Sequence, residues 1–171
     1  STARTFIQQA QRLHLQDTLD PQLTEQAMTF LTGALALDSV SAAASEQVLR
    51  VGAENCIGSR DYGDQIRWAL DQQVNAQADL YLLTEAVRCL LEQQNSRLDR
   101  EVLLEQMMNK YARRNAAFAS ELSAQLGLLA VEKADFQSAL EWLSYAYELN
   151  PYNQLAFAKL QELSAARDLS I

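Results

Sequence analysis

The 171-residue sequence predicts an all-α chain, and three observations point that way. Glycine and proline are scarce, at five and two residues, whereas a β-rich chain of this length needs many of them for its turns. Gln, Ala, Leu and Glu are abundant, and they lose little conformational freedom in a helix. Apolar residues recur at i, i+3 and i+4 instead of alternating. A hydrophobic content of 49% can supply a core for a chain that buries roughly 70% of its unfolded surface.

Helices are expected at 3–15, 21–36, 42–57, 62–75, 78–94, 100–114, 116–133, 136–149 and 152–166. Asp20-Pro21 opens the second, because Asp accepts from free backbone N–H groups and Pro fits the first turn. Asn150-Pro151 repeats that arrangement before the ninth. Asp61, Asp99 and Asp135 each precede a periodic apolar run and are N-cap candidates. Asn95-Ser96-Arg97 reads as a turn. Leu80, Leu83, Val87, Leu90 and Leu91 form one stripe on the fifth helix. Leu104, Met108 and Tyr111 form another on the sixth, with Leu103 and Met107 beside it. Such stripes are core surface. Nine helices with short connections make four antiparallel hairpins plus one extra helix, taken as a single domain over 1–171.

Internal repetition carries the next level of organisation. Segment 120–153 places Leu126 and Gly127 in its first helix, then Phe136, Ala139, Leu143 and Ala146 in its second. Leu149 and Pro151 close the unit. Gly127 and Ala139 allow a close helix approach, and Leu126 and Leu143 fill the seam. This segment resembles a tetratricopeptide (TPR) unit. Ser123 and Ala130 depart from the family pattern, and Phe157 takes the large-aromatic position of the following helix. Ala27, Leu31, Ala34 and Leu37 show the same small–large rhythm. Taking Ala27, Ile66, Leu104 and Ala139 as equivalent gives intervals of 39, 38 and 35, longer than the ~34 of a regular repeat. The resemblance is close over the last third, moderate at 21–37 and weak between. It implies a right-handed α-α superhelix, a TPR-like solenoid of about four hairpins, with 152–166 as a capping helix. An irregular α-solenoid or a compact bundle is the alternative architecture.

The net charge of −8 disfavours a phosphate backbone, and only Arg113-Arg114 is an adjacent basic pair, so no nucleic-acid partner is expected. No apolar run approaches the ~20 residues of a membrane span, which excludes direct insertion. The first residue is Ser1, not Met, which leaves open an excised domain or a processed product and the loss of an upstream signal or anchor. His14 is the only histidine, and any Ser, Thr or Cys nucleophile would have to share it. Gly52 and Gly58 are isolated, and no phosphate loop, metal motif or dinucleotide fingerprint occurs. Glu101 with Glu105, and Asp61 with Asp64, read as surface and capping carboxylates. The chain is therefore not expected to be an enzyme, and no cofactor or metal is expected.

The expected function is a protein–protein interaction scaffold. The resemblance implies a concave groove lined by Glu121, Ala124, Leu128, Val131 and Glu132, with Leu155, Ala158 and Lys159 from the next helix. The Lys, Arg and Asn clamp that some TPR domains use for a C-terminal carboxylate is missing there. The groove is apolar with an acidic margin, suited to an amphipathic helix or an apolar peptide with basic residues. Leu128, Val131 and Leu155 equally suit packing against a neighbouring subunit, which leaves a homo-oligomer open. The alternative function is a helical accessory domain of a larger enzyme or an envelope-associated assembly. Cys56 and Cys89 fall near equivalent positions of consecutive repeats, roughly 8–10 Å apart between axes. That spacing predicts unlinked thiols and favours a cytoplasmic location.

Overall fold

A computed structural model describes residues 2–17, 20–37, 42–54, 56 and 60–169. Among these residues the chain is helical throughout, with nine α-helices, one 3-10 turn and no strand. The helices are α1 (Thr2–Gln16), α2 (Pro21–Leu37), α3 (Ala42–Glu54), α4 (Gly63–Asn75), α5 (Leu80–Glu92), α6 (Arg97–Tyr111), α7 (Ala116–Glu132), α8 (Phe136–Leu149) and α9 (Gln154–Leu169). Gly58 lies outside the described residues.

Local chemistry sets most boundaries. Asp20 accepts from the Gln22 N–H at 2.9 Å ahead of α2, and Asp135 accepts from the Ser138 N–H at 3.2 Å ahead of α8, as expected for side-chain caps. Asp61 and Asp99 take other positions. The chain enters α4 through a 3-10 turn, Arg60–Tyr62, which absorbs Asp61, and α4 has no side-chain cap. Ser96 caps α6 instead, accepting from the Asp99 N–H at 3.0 Å. Asn150 accepts from the Tyr152 N–H at 3.1 Å. The cap of α9 is Asn153, which accepts from the Ala156 N–H at 3.2 Å.

The chain divides into two compact units, Ser1–Gln93 and Gln94–Ile171. In the first, α1 and α2 form a hairpin, with the Phe6 and Phe30 rings 5.9 Å apart. Helix α3 packs on α1 and α2, and both α4 and α5 pack on α3. Gln73 of α4 donates to the Ser45 hydroxyl at 2.6 Å and the Ala42 carbonyl at 2.9 Å, satisfying a buried amide. The expected hairpin of the fifth and sixth helices is divided, since α5 belongs to the first unit and α6 to the second.

Cys56 and Cys89 form a disulfide, with Cα atoms 5.4 Å apart. The expectation of unlinked thiols is therefore wrong, and the argument for a reducing, cytoplasmic compartment falls with it. The expected 42–57 helix ends at Glu54, so Cys56 lies in a turn instead of on a helix axis. Helix α5 packs directly on α3, which removes the assumed axis-to-axis separation. A cross-link over 33 residues contributes about 3–4 kcal/mol by restricting the unfolded chain. Among the described residues no helix is long and apolar enough to cross a membrane.

In the second unit α6 packs on α7, α7 on α8, and α8 on α9. The Tyr111 and Phe118 rings, 5.6 Å apart, join the first pair. Lys133 reaches Glu101 at 3.0 Å, so Glu101 serves as an ion-pair partner. Gly127 faces Leu143 so closely that a Cβ would lie 2.7 Å from Leu143 Cγ. Ala139 is fully buried beside this seam. Ser123, the departure from the repeat pattern, is buried and donates its hydroxyl to the Trp142 carbonyl at 2.7 Å. Ser120 donates to the Ala146 carbonyl at 2.6 Å and accepts from the Asn153 amide at 2.9 Å.

Two predictions follow from these contacts. Gly127→Val forces a Cβ and two methyl groups into a filled seam and should lower stability by about 2–3 kcal/mol, read as a shifted midpoint in urea unfolding. An unshifted midpoint would show that Leu143 yields freely. Ala134, at φ 58°, ends α7 in the left-handed region. The Asp135 N–H there reaches the Ala130 carbonyl at 2.9 Å and the Ala134 N–H reaches Val131 at 2.9 Å. Glycine is the favoured residue for such a terminus, so Ala134→Gly should stabilise by about 1 kcal/mol, checked in the same unfolding series.

Candidate functional site

Helix α8 carries a stripe at Phe136, Leu140, Leu143 and Tyr147, spaced four, three and four residues apart. A helix places these side chains on one face. Leu143 is consumed by the core, together with Ala124, Ala146 and Ala156. Leu155, Leu160 and Leu163 of α9 pack against that cluster. The rest of the stripe remains in contact with solvent: Phe136 is 52% exposed and Tyr147 40%.

Between α8 and α9 lies a groove of about 530 Å³, lined by Phe136, Gln137, Leu140, Leu163, Ala166 and Arg167. Antiparallel packing puts the start of α8 beside the end of α9. At the opposite end of the pair the Tyr147 and Phe157 rings meet, with centroids 6.2 Å apart. Phe157 is 48% exposed and Tyr152, in the connecting turn, 88%. Polar groups frame the apolar strip. Gln137 donates to Glu141 at 2.9 Å along α8, and Lys159 pairs with Glu162 at 2.9 Å along α9. Asp135 caps α8 beside Phe136, and the Ser138 hydroxyl and backbone N–H hold its carboxyl below the usual aspartate value.

The residues expected from the sequence to line a groove divide between core and surface. Ala124 is fully buried inside the cluster named above and offers no atom to a partner. Leu155 is half-buried against the same cluster. Leu128 and Val131 are half-buried, Glu132 and Ala158 are exposed, and Lys159 is held in its ion pair. Glu121 is half-buried, and burial raises its carboxyl above the usual glutamate value of 4.5. The α8–α9 groove was not expected, because the sequence reading placed the groove on α7 and α9 and gave Phe136 only a place in the second helix of the 120–153 unit. Its signal was the stripe that continues through Leu140 to Tyr147.

Two further places hold titratable side chains. His14 of α1 is 5% exposed, and Nε2 lies 3.3 Å from Glu54 Oε2. The contact lacks hydrogen-bond geometry at either ring nitrogen. It is an approach of one imidazole to one carboxylate. A second cavity, of about 330 Å³, lies between α3 and α5 and has Arg50, Glu54, Asp79, Glu85 and Arg88 in its walls. Arg50 pairs with Glu46 at 2.8 Å and Arg88 with Glu85. Among the described residues, no group of three or more His, Cys, Asp and Glu side chains is arranged to hold a metal ion.

Comparison with family models, with curated proteins and with solved structures finds no match. Function must therefore be argued from the site itself.

Glu121 supplies a pH-dependent test of this packing. Its folded pKa is raised because burial disfavours its charged form. The stability tied to it is complete below the unfolded pKa and is lost as pH rises through the folded value. Glu121→Gln should therefore stabilise the chain at neutral pH and leave it unchanged at about pH 3. Urea unfolding at the two pH values checks this, and an equal gain at both would contradict the burial argument.

Proposed function

We propose that the chain is a non-catalytic protein-interaction module of the TPR-like kind, and that it grips an apolar helical segment of a partner protein in the groove between α8 and α9. One observation carries this reading: the half-exposed Phe136 together with Leu140 and Leu163 along an open apolar groove of about 530 Å³. A side chain as large as phenylalanine loses roughly 2 kcal/mol of burial when left in water. An exposed apolar strip with polar edges is the usual form of a protein-binding site. An apolar groove between two helices suits a helix whose apolar side chains fall at i, i+3, i+4 and i+7. The net charge of −8 favours a partner with basic residues outside its apolar stripe.

Support for the repeat reading comes from α7 to α9. Gly127 against Leu143, the buried Ala139 and Ala146, and the turn at Asn150-Pro151 are contacts that a helical hairpin repeat requires. In this reading α9 is the first helix of a following unit, and the partner segment packs along α8 and α9. The α7 stripe offers less, because Ala124 is closed off.

The test uses isotope-labelled protein and a panel of synthetic amphipathic helices with basic flanks. Resonances of Phe136, Gln137, Leu140, Leu163 and Ala166 should shift on titration. Phe136→Ser should weaken binding about tenfold, as loss of an aromatic anchor does, with the helical circular dichroism unchanged. Failure of the whole panel to bind, or shifts centred on Leu128 and Val131, would refute this site.

A further inference from the structure

We propose that Cys56–Cys89 is a structural lock of the first unit, which the chain acquires from a disulfide-donating partner and which resists exchange once folding is complete. The two sulfurs sit in unlike places. Cys56 occupies a partly exposed turn just after α3. Cys89 is 2% exposed, in a buried run of α5 with Ala86, Val87, Leu90 and Leu91. It also lies in the last turn of α5, which ends at Glu92.

These positions decide the direction of the chemistry. In formation, the Cys56 thiolate attacks the donor's disulfide, making a mixed disulfide and releasing one donor thiolate. The Cys89 thiolate then attacks Cys56 Sγ, the intramolecular bond forms, and the donor leaves as a dithiol. Two electrons pass to the donor, and the two cysteine protons pass to solvent or to the donor thiolates. In reversal, a thiolate reductant can reach only Cys56, and it must expel Cys89 as a thiolate. A negative charge at Cys89 is disfavoured by its apolar surroundings and by the carboxyl end of the α5 dipole. Arg88, the adjacent cation, is exposed and engaged with Glu85. A sulfur that accepts charge badly is a poor leaving group.

The surroundings close the remaining approach. The Gln93 amide donates to the Cys56 carbonyl at 3.4 Å and lies 3.5 Å from Cys89 Sγ. Its other atom, Oε1, lies against the start of α4 at Gly63. Two residues before Cys56, Glu54 approaches His14 of α1. The carboxyl end of α3 thus approaches α1 on one side, and Cys56 just beyond it is linked covalently to α5. A redox-active pair has the opposite design, with an exposed attacking sulfur at a helix amino end. This bond belongs in an oxidising compartment, where such cross-links form and persist.

The experiment uses the full chain, matured with a protein disulfide oxidoreductase and purified without reductant. Thiol titration in guanidinium should find no thiol, and two thiols would overturn the proposal. Addition of millimolar glutathione should then release thiols at least ~100-fold more slowly from the native than from the denatured chain. Equal rates would show an exchangeable bond and refute the lock. Peptide mapping of the alkylated products should find the Cys56–Cys89 pair in the native, unreduced sample. A mixed disulfide to another thiol would also overturn it.

Discussion

The second unit depends on the tight approach of α7 to α8 at Gly127. Leu143 occupies the space that a Cβ would need, 2.7 Å from its Cγ. Close packing of this kind leaves no slack, because protein interiors are as dense as organic crystals. Once Leu143 is held there, Ala124, Ala146 and Ala156 complete a cluster of small side chains around it. Small residues bring three backbones together, and α9 then has one position available to it. The groove along α8 lies on the same helix face: Leu143 is buried there, while Phe136 and Tyr147, nearer the two ends of the helix, stay part-exposed.

Polar groups fix what the apolar seam leaves free. Ser120 and Ser123 lie on α7 and donate to backbone carbonyls of α8 at 2.6 and 2.7 Å. Buried hydroxyls without partners would cost on the order of 1–3 kcal/mol each, so these bonds select the axial register of the pair. Asn153 joins the network with both ends of its amide. Its oxygen caps α9 at the Ala156 N–H, and its nitrogen donates to Ser120. One side chain thereby starts α9 and ties that start to α7. At Ser123 a small side chain sits in the seam, and its hydroxyl is bonded to α8.

The first unit is organised differently. Its signature residues are weaker, and longer-range chemistry takes their place. Gln73 bridges α4 to the start of α3. The disulfide joins the end of α3 to α5. Cross-linking restricts the unfolded chain instead of adding native contacts, so it suits a region whose helix faces specify their neighbours poorly. Phe6 against Phe30 gives the α1–α2 hairpin its own aromatic anchor.

Composition and periodicity determined by themselves that the chain is helical and where eight of its helices run, because helix propensity, spacing and capping are local properties. Asp20, Asp135 and the break at Asn95-Ser96 were legible for the same reason, although Arg97 already belongs to α6. The seam at Gly127, Ala139 and Leu143 was also legible, since small and large residues at fixed spacing are written along one chain. Tertiary structure decided the rest. Asp61 yielded its cap role to a 3-10 turn, and α3 stopped at Glu54, placing Cys56 where α5 could meet it. Linear spacing assigned Cys56 and Cys89 to separate layers, but α5 packs directly on α3, and no local signal records which helix a helix will choose. Phe136 carried a repeat position without a groove role and stands half in water, while Ala124 carried a groove position and is sealed in the core. Which part of an apolar stripe becomes core and which becomes groove depends on where the neighbouring helix ends, and that is a property of the packed molecule.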